Sequence, residues 1–191
     1  MTEKAELGLK KLDKGDAKAV FALSNDYADA FDYSLKEVRG LITRKGAAGY
    51  LAVAQTDAGA VPVGMILGYP SADFSDVWKG YAAKDLPGEY VGKDRFYLEA
   101  LAVAPELEGA KGEVAGALLK VLESELLQAG YKGITSVLPI QDTTGSQPEA
   151  LGFETRKRLE HFWVYESAGE KVDDTVDVIY KSLVEPAKAK K

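Results

Sequence analysis

The sequence predicts an α+β (mixed α/β) domain built on a sheet of about seven strands flanked by helices. Three observations predict it. Residues 50–55 and 61–69 read as strands joined by TDAGA, a hairpin by its turn residues, and so early a hairpin breaks the strand–helix alternation of a doubly wound fold. Residues 95–130, RFYLEALAVAPELEGAKGEVAGALLKVLESELLQAG, change from strand to helix period within one stretch. Residues 133–139, 153–166 and 175–183 are three more strand-like runs, separated by segments rich in breakers.

Taken in order, residues 7–12 form a weak first strand. Asp13 or Asp16 can cap a helix running to about Ser24, with Val20, Phe21 and Leu23 facing inward. The segment NDYADAFDYS mixes acids and rings: Asp26, Asp29 and Asp32 among Tyr27, Phe31 and Tyr33. Such a mixture suits an organic ammonium ion through charge and cation–π attraction; the competing reading is a solvated turn whose rings are core. Ser34 caps a second helix, LKEVRGLITRKG. After the hairpin, residues 70–94 are long for a connection and poor in periodicity. They again pair acids with rings (Asp73 and Asp76 with Phe74, Trp78 and Tyr81), which fits either a lid or a surface excursion.

Residues 96–103 are a nearly continuous apolar run, the pattern of a strand buried on both faces, and Pro105 ends it. Residues 106–112 read as a loop carrying Gly109 and Gly112. From Glu113, Val114, Ala115, Leu118, Leu119, Leu122 and Leu126 recur at helical spacing, and Gly130 sits where a left-handed terminator belongs. Free N–H groups at the start of such a helix suit phosphate. Within this run, Glu99 is the one residue charged at neutral pH. Burial there disfavours its charged form and raises its pKa, the environment of a general base near neutral pH. A structural carboxylate, paired with a lysine or hydrated, is the competing reading.

Residues 133–139 are a buried strand. The segment QDTTGSQPEALGFE is a broken or very short helix, SAGEKVDD a turn before the last strand, and residues 186–191 a basic tail expected to be disordered. With 191 residues and no repeat, residues 1–185 are expected to form a single domain.

Composition excludes several classes. Hydrophobic residues at 46% and charged residues at 28% fit a soluble globular chain. A formal net charge of −6 argues against nonspecific nucleic-acid binding and is compatible with a cationic substrate. Cysteine is absent, which excludes disulfides and thiol chemistry and fits a cytoplasmic location. No signal peptide or apolar membrane span is visible. One histidine and no cysteine argue against zinc, so no metal is expected. His161, in RLEHFWVYE, has no nucleophile elbow to serve and is expected to be structural. Neither G-x-G-x-x-G nor a P-loop sequence is present.

The element order, together with YLEALAV followed by Pro105, the Leu118-Leu119 pair and LGF at residues 151–153, resembles the GNAT superfamily of N-acetyltransferases. The resemblance covers nearly the whole chain in element order and residues 97–153 in motif. It implies a mixed, mostly antiparallel sheet splayed between the fourth and fifth strands, with acetyl-CoA as co-substrate. The pantetheine arm would pair with the backbone near Leu101, Ala102 and Val103. The pyrophosphate would lie on the loop amides of Ala110, Lys111, Gly112, Glu113, Val114, Ala115 and Gly116. Glu99 falls where many members carry the acid that takes a proton from the amine. Tyr27, Asp29, Phe31, Tyr33 and Trp78 become candidates for binding a primary amine, on a small cationic molecule or a lysine side chain of a peptide. A homodimer is compatible with this reading.

The departures are specific. The family loop runs Gln or Arg, two residues, Gly, one residue, Gly or Ala. Here Ala110 stands at the first position and Glu113 replaces the first Gly, while Ala115 fits. Gln141 stands near the family's frequent Asn, and Pro148 where a Tyr often serves as acid to the leaving thiolate. The alternative to an enzyme is therefore a GNAT-like module without turnover, serving as a binding or scaffold domain.

Overall fold

The structure, a computed structural model, describes residues 7–27, 33–57, 59–80, 82, 84–139, 148–167 and 169–184. Among the described residues it is an α+β arrangement: a seven-stranded sheet in the order β1-β2-β3-β4-β5-β7-β6 and four α-helices. The strands are β1 (Leu7–Lys11), β2 (Ala48–Thr56), β3 (Gly59–Pro70), β4 (Arg95–Val103), β5 (Gly133–Pro139), β6 (Glu154–Ser167) and β7 (Glu170–Ser182). The helices are α1 (Ala17–Tyr27), α2 (Leu35–Ile42), the single turn α3 (Phe74–Val77) and α4 (Lys111–Gln128). The recorded pairings of β1 with β2, β2 with β3, β5 with β7 and β6 with β7 are antiparallel. The parallel register of β4 with β5 runs from Arg95↔Gly133 to Tyr97↔Thr135. The chain divides into two compact units, Met1–Tyr69 with Leu98–Ser124, and Pro70–Tyr97 with Glu125–Lys191.

In the first unit, local signals set both helix entries. Asp13 and Asp16 cap together: Gly15 N–H donates to the Asp13 carboxylate (2.7 Å), while Asp13 N–H donates to that of Asp16 (2.9 Å). This reciprocal box opens a short 3-10 turn, Lys14–Asp16, that leads into α1. Ser34 builds the same box for α2 with Glu37. That helix stops at Ile42, shorter than the pattern predicts, and Thr43 closes it by donating from its N–H to Arg39 O. Val20 and Leu23 are buried as expected for the inward face of α1, Phe21 is only half-buried, and Val38 and Leu41 form the buried face of α2. The β2–β3 hairpin has one register shift, between Ala52 and Val53, beside Pro62. Proline has no N–H for the ladder, so a bulge beside it is the cheap solution.

The expected loop at 106–112 is instead mostly helical. A 3-10 helix, Pro105–Ala110, runs into α4, and Lys111 at the junction already has α-helical angles. Proline at its start supplies the fixed φ that a helix entry needs. Along α4, Val114, Leu118, Leu119, Leu122 and Leu126 are buried, the stripe read from the sequence.

In the second unit, Gly130 adopts φ 87° and terminates α4: Tyr131 N–H donates to Leu126 O (2.9 Å) and Gly130 N–H to Leu127 O (3.1 Å). Gly152, at φ 81°, does the same after the 3-10 helix Pro148–Leu151, which places the LGF motif at a backbone reversal only glycine makes without strain. Residues 70–94 are a closed excursion rather than an unstructured connection. The buried Ser71 hydroxyl accepts from Gly92 N–H (3.1 Å) and so ties its two ends. Its middle is stitched to β6: Ala82 bridges Trp163, the Lys84 ammonium donates to Glu160 O (2.6 Å), and Trp78 packs on Trp163 with ring centroids 4.5 Å apart. The predicted turn SAGEKVDD is mostly strand; two residues separate β6 from β7, and Gly169 at φ 82° makes the reversal.

Candidate functional site

The polar centre of the first unit is Glu99. Residues Phe96, Tyr97, Leu98, Glu99 and Ala100 are buried in succession along β4, and Glu99 is 3% exposed. A carboxylate so placed has lost its water and needs a donor. The Tyr33 hydroxyl supplies one, donating to Glu99 Oε1 across 66 residues of sequence. A hydroxyl donated to a carboxylate stabilises the anion and opposes the effect of burial.

Tyr33 is itself held by local chemistry. It is the residue before the α2 cap, where Ser34 N–H donates to Glu37 Oε2 (2.7 Å), the Ser34 hydroxyl donates to the same oxygen (2.6 Å), and Glu37 N–H returns to the Ser34 hydroxyl (3.3 Å). The two bonds from Ser34 hold the Glu37 carboxyl below its ordinary range. The backbone at Tyr33 is thereby fixed at the helix entry. Sequence analysis singled out Tyr33 and Glu99 separately, one as an amine-binding ring and one as a base. No local period links them, and the pairing is a product of the fold.

The remaining candidates fall as follows. Leu101 and Val103 are half-buried at the end of β4, and Ala102 is buried. At the start of α4, Ala110, Lys111, Ala115 and Gly116 are half-buried, Gly112 and Glu113 are exposed, and Val114 belongs to the core. A Cβ added at Gly109, Gly112 or Gly116 would meet no heavy atom within 4 Å. These backbone positions are therefore open to approach. Gly64, which the sequence reading passed over, is the opposite case. A Cβ there would lie 3.1 Å from Ala102 O, 3.3 Å from Val114 and 3.4 Å from Leu118. It lets β3 sit close beneath the C-terminal half of β4 and the first turns of α4. Its signal was an isolated glycine within a strand pattern.

Tyr27 ends α1. Asp29, Phe31 and Gln141 lie outside the described residues. Trp78 lies in the second unit, within an aromatic cluster of Phe74, Tyr97, Phe162, Trp163 and Trp78. Pro148 opens the 3-10 helix before Gly152.

His161 sits on a bulge. The β6–β7 register moves from Leu159↔Val176 to Trp163↔Asp174, so β6 carries two more residues than β7 over this span. His161 has φ 53°, and its exposed ring places Nδ1 2.7 Å from Asp173. The hydrogen bond from His161 holds the Asp173 carboxyl below its usual range. The bulge lies directly before Phe162 and Trp163, consecutive aromatic residues that are both buried.

Among the described residues no group of three or more His, Cys, Asp or Glu side chains could hold a metal ion. None of the described helices is long and apolar enough to cross a membrane.

No family model matches the sequence, and no curated protein does. Solved structures match over nearly the full length. Arabidopsis thaliana NAA60, in a complex with acetyl-CoA, superposes with TM-score 0.69 at 12% identity, covering 93% of this chain and 98% of its own. A protein assigned to the GNAT family of acetyltransferases from Desulfovibrio desulfuricans gives 0.65 at 14%, covering 94% and 100%. The aminoglycoside 6′-N-acetyltransferase from Enterococcus faecium gives 0.61 at 17%, covering 95% and 99%. Over nearly its whole length, then, this chain takes the GNAT N-acetyltransferase fold.

Proposed function

We propose that the protein is an acetyl-CoA-dependent N-acetyltransferase acting on a primary amine, on a small cationic molecule or a lysine side chain. The observation that carries this reading is Glu99, buried in β4 and held by the Tyr33 hydroxyl. A carboxylate fixed in an apolar strand of this fold is suited to take the proton of an arriving ammonium group, directly or through a water. Acetyl-CoA would supply the acetyl thioester. The residues suited to hold it are the β4 backbone at Leu101, Ala102 and Val103 and the start of α4 from Ala110 to Gly116. The open space at Gly109, Gly112 and Gly116 leaves that backbone approachable, and Lys111 adds a positive charge. Among structures of the same fold, one is solved with acetyl-CoA and another is named for an amine-bearing small molecule. Net charge −6 favours a cationic acceptor over an anionic one.

Calorimetry with acetyl-CoA tests the reading, followed by a screen of amines for CoA release. Saturable heat, and release that disappears in Glu99→Gln, are expected. No heat at millimolar acetyl-CoA would remove the assignment.

A second reading, a GNAT-like binding module without turnover, is favoured by Glu113, whose exposed carboxylate stands in the first turn of α4. It would repel a pyrophosphate there. Acetyl-CoA binding without CoA release from any amine, tightened in Glu113→Gln, would select this reading.

A further inference from the structure

We propose that Tyr33 is the positioning residue of Glu99, so that the helix cap at Ser34 and Glu37 sets the orientation of the proposed base. The inference deepens the acetyltransferase reading and rests on it. It moves Tyr33 from the substrate, where its sequence context placed it, to the carboxylate.

Three features carry it. The acid is buried, so its oxygens have few partners to choose among and a fixed donor governs its rotamer. The donor is a phenol, a rigid ring with two torsions, which holds its oxygen more firmly than a longer side chain would. The ring is anchored next to a reciprocal capping box, so its backbone is ordered before any ligand arrives. A base needs its oxygen within hydrogen-bond reach of the proton it takes, and small misplacements are costly in rate. Tyr33 donates to Glu99 Oε1 and so fixes the plane of the carboxylate.

The experiment is a double-mutant cycle on kcat in the full chain, with Tyr33→Phe, Glu99→Gln and both. Tyr33→Phe keeps the ring and removes the donor. It should lower kcat about tenfold while leaving the KM for acetyl-CoA unchanged, since the loss lies in orienting a catalytic group. In the Glu99→Gln background the same change should have almost no further effect, because residues acting through one another are not additive. A full tenfold loss persisting in Glu99→Gln would overturn the proposal and return Tyr33 to the substrate. Ser34→Ala should reproduce part of the loss; full activity in that variant would separate the cap from the base. A readout independent of turnover is the carbon NMR signal of Glu99 in protein labelled at the glutamate carboxyl. It should move in Tyr33→Phe, and an unmoved signal would also overturn the proposal. If the wild-type chain releases no CoA from any amine but the signal moves, the acetyltransferase reading fails and the positioning stands.

Discussion

Strands β4 and β6 each carry an ionisable side chain beside buried aromatic residues, Glu99 in the apolar run of β4 and His161 before Phe162 and Trp163 in the more polar β6, and the fold treats them in opposite ways. β4 buries Glu99 within a run of consecutive buried residues and meets it with a hydroxyl from another element. β6 breaks its alternation at His161, turns the ring out to solvent and lets it pair with Asp173 on the neighbouring strand. The cost at β6 is a backbone at φ 53°, of order 1–3 kcal/mol for a side-chain-bearing residue. Directly after it come two adjacent aromatic side chains in the core. A polar residue that the fold could have expelled, and did not, is the stronger candidate for chemistry. The bulge shows that this chain has the means to expel one.

The comparison can be broken first at Glu99. Glu99→Gln should reduce kcat by about 10²–10⁴-fold, the range of general-base contributions. Its melting temperature should change little, because the amide oxygen can still accept from Tyr33. Steady-state CoA release and thermal unfolding together decide it; equal loss of stability and activity would make Glu99 a structural acid like any other.

At the β6 bulge the large effect should be in stability. Phe162→Ala deletes a fully buried ring packed against Phe74 and Trp163 and should cost about 3–5 kcal/mol in denaturant unfolding. A loss under about 1 kcal/mol would mean that the Phe162 ring adds little to the core.

Two glycines of the first unit sharpen the contrast between closed and open positions. Gly64→Ala should destabilise by about 1–3 kcal/mol, since its methyl would press on the Ala102 carbonyl. Gly116→Ala, inside α4 with free space around it, should stabilise by up to about 1 kcal/mol through helix propensity. If acetyl-CoA approaches that backbone, the same methyl should weaken its binding. Calorimetry on the stabilised variant separates the two effects.

The smallest effect is at His161 and Asp173. Asp173 has a lowered folded pKa, so the pair contributes stability above the unfolded aspartate value and loses it as pH falls through the folded one. His161→Ala should remove that contribution, so its stability deficit is present above the ordinary aspartate range, disappears as pH falls through the folded value, and is reduced by salt. Unfolding measured on both sides of that range checks it.

Much of this was legible in the chain. The caps at Asp13 and Ser34, the α4 stripe, the stop at Gly130 and the run holding Glu99 all follow from spacings of a few residues, because hydrogen-bonded turns and side-chain periods are local. What was not legible has an equally physical reason. Residues 106–112 carry two glycines and look like a loop, yet Pro105 and the helix that follows draw them into helical turns. Residues 70–94 have no period because their order comes from Ser71 closing on Gly92 and from anchors on β6.

By itself the sequence determined most of the strands, the entries to α1 and α2, the buried stripe of α4, and that one carboxylate lies in an apolar strand. The tertiary structure alone decided that Tyr33 meets that carboxylate, that Gly64 is closed while Gly116 is open, and that His161 faces out. Those outcomes depend on sheet register and on which distant residue fills a buried site, and neither leaves a trace in local spacing.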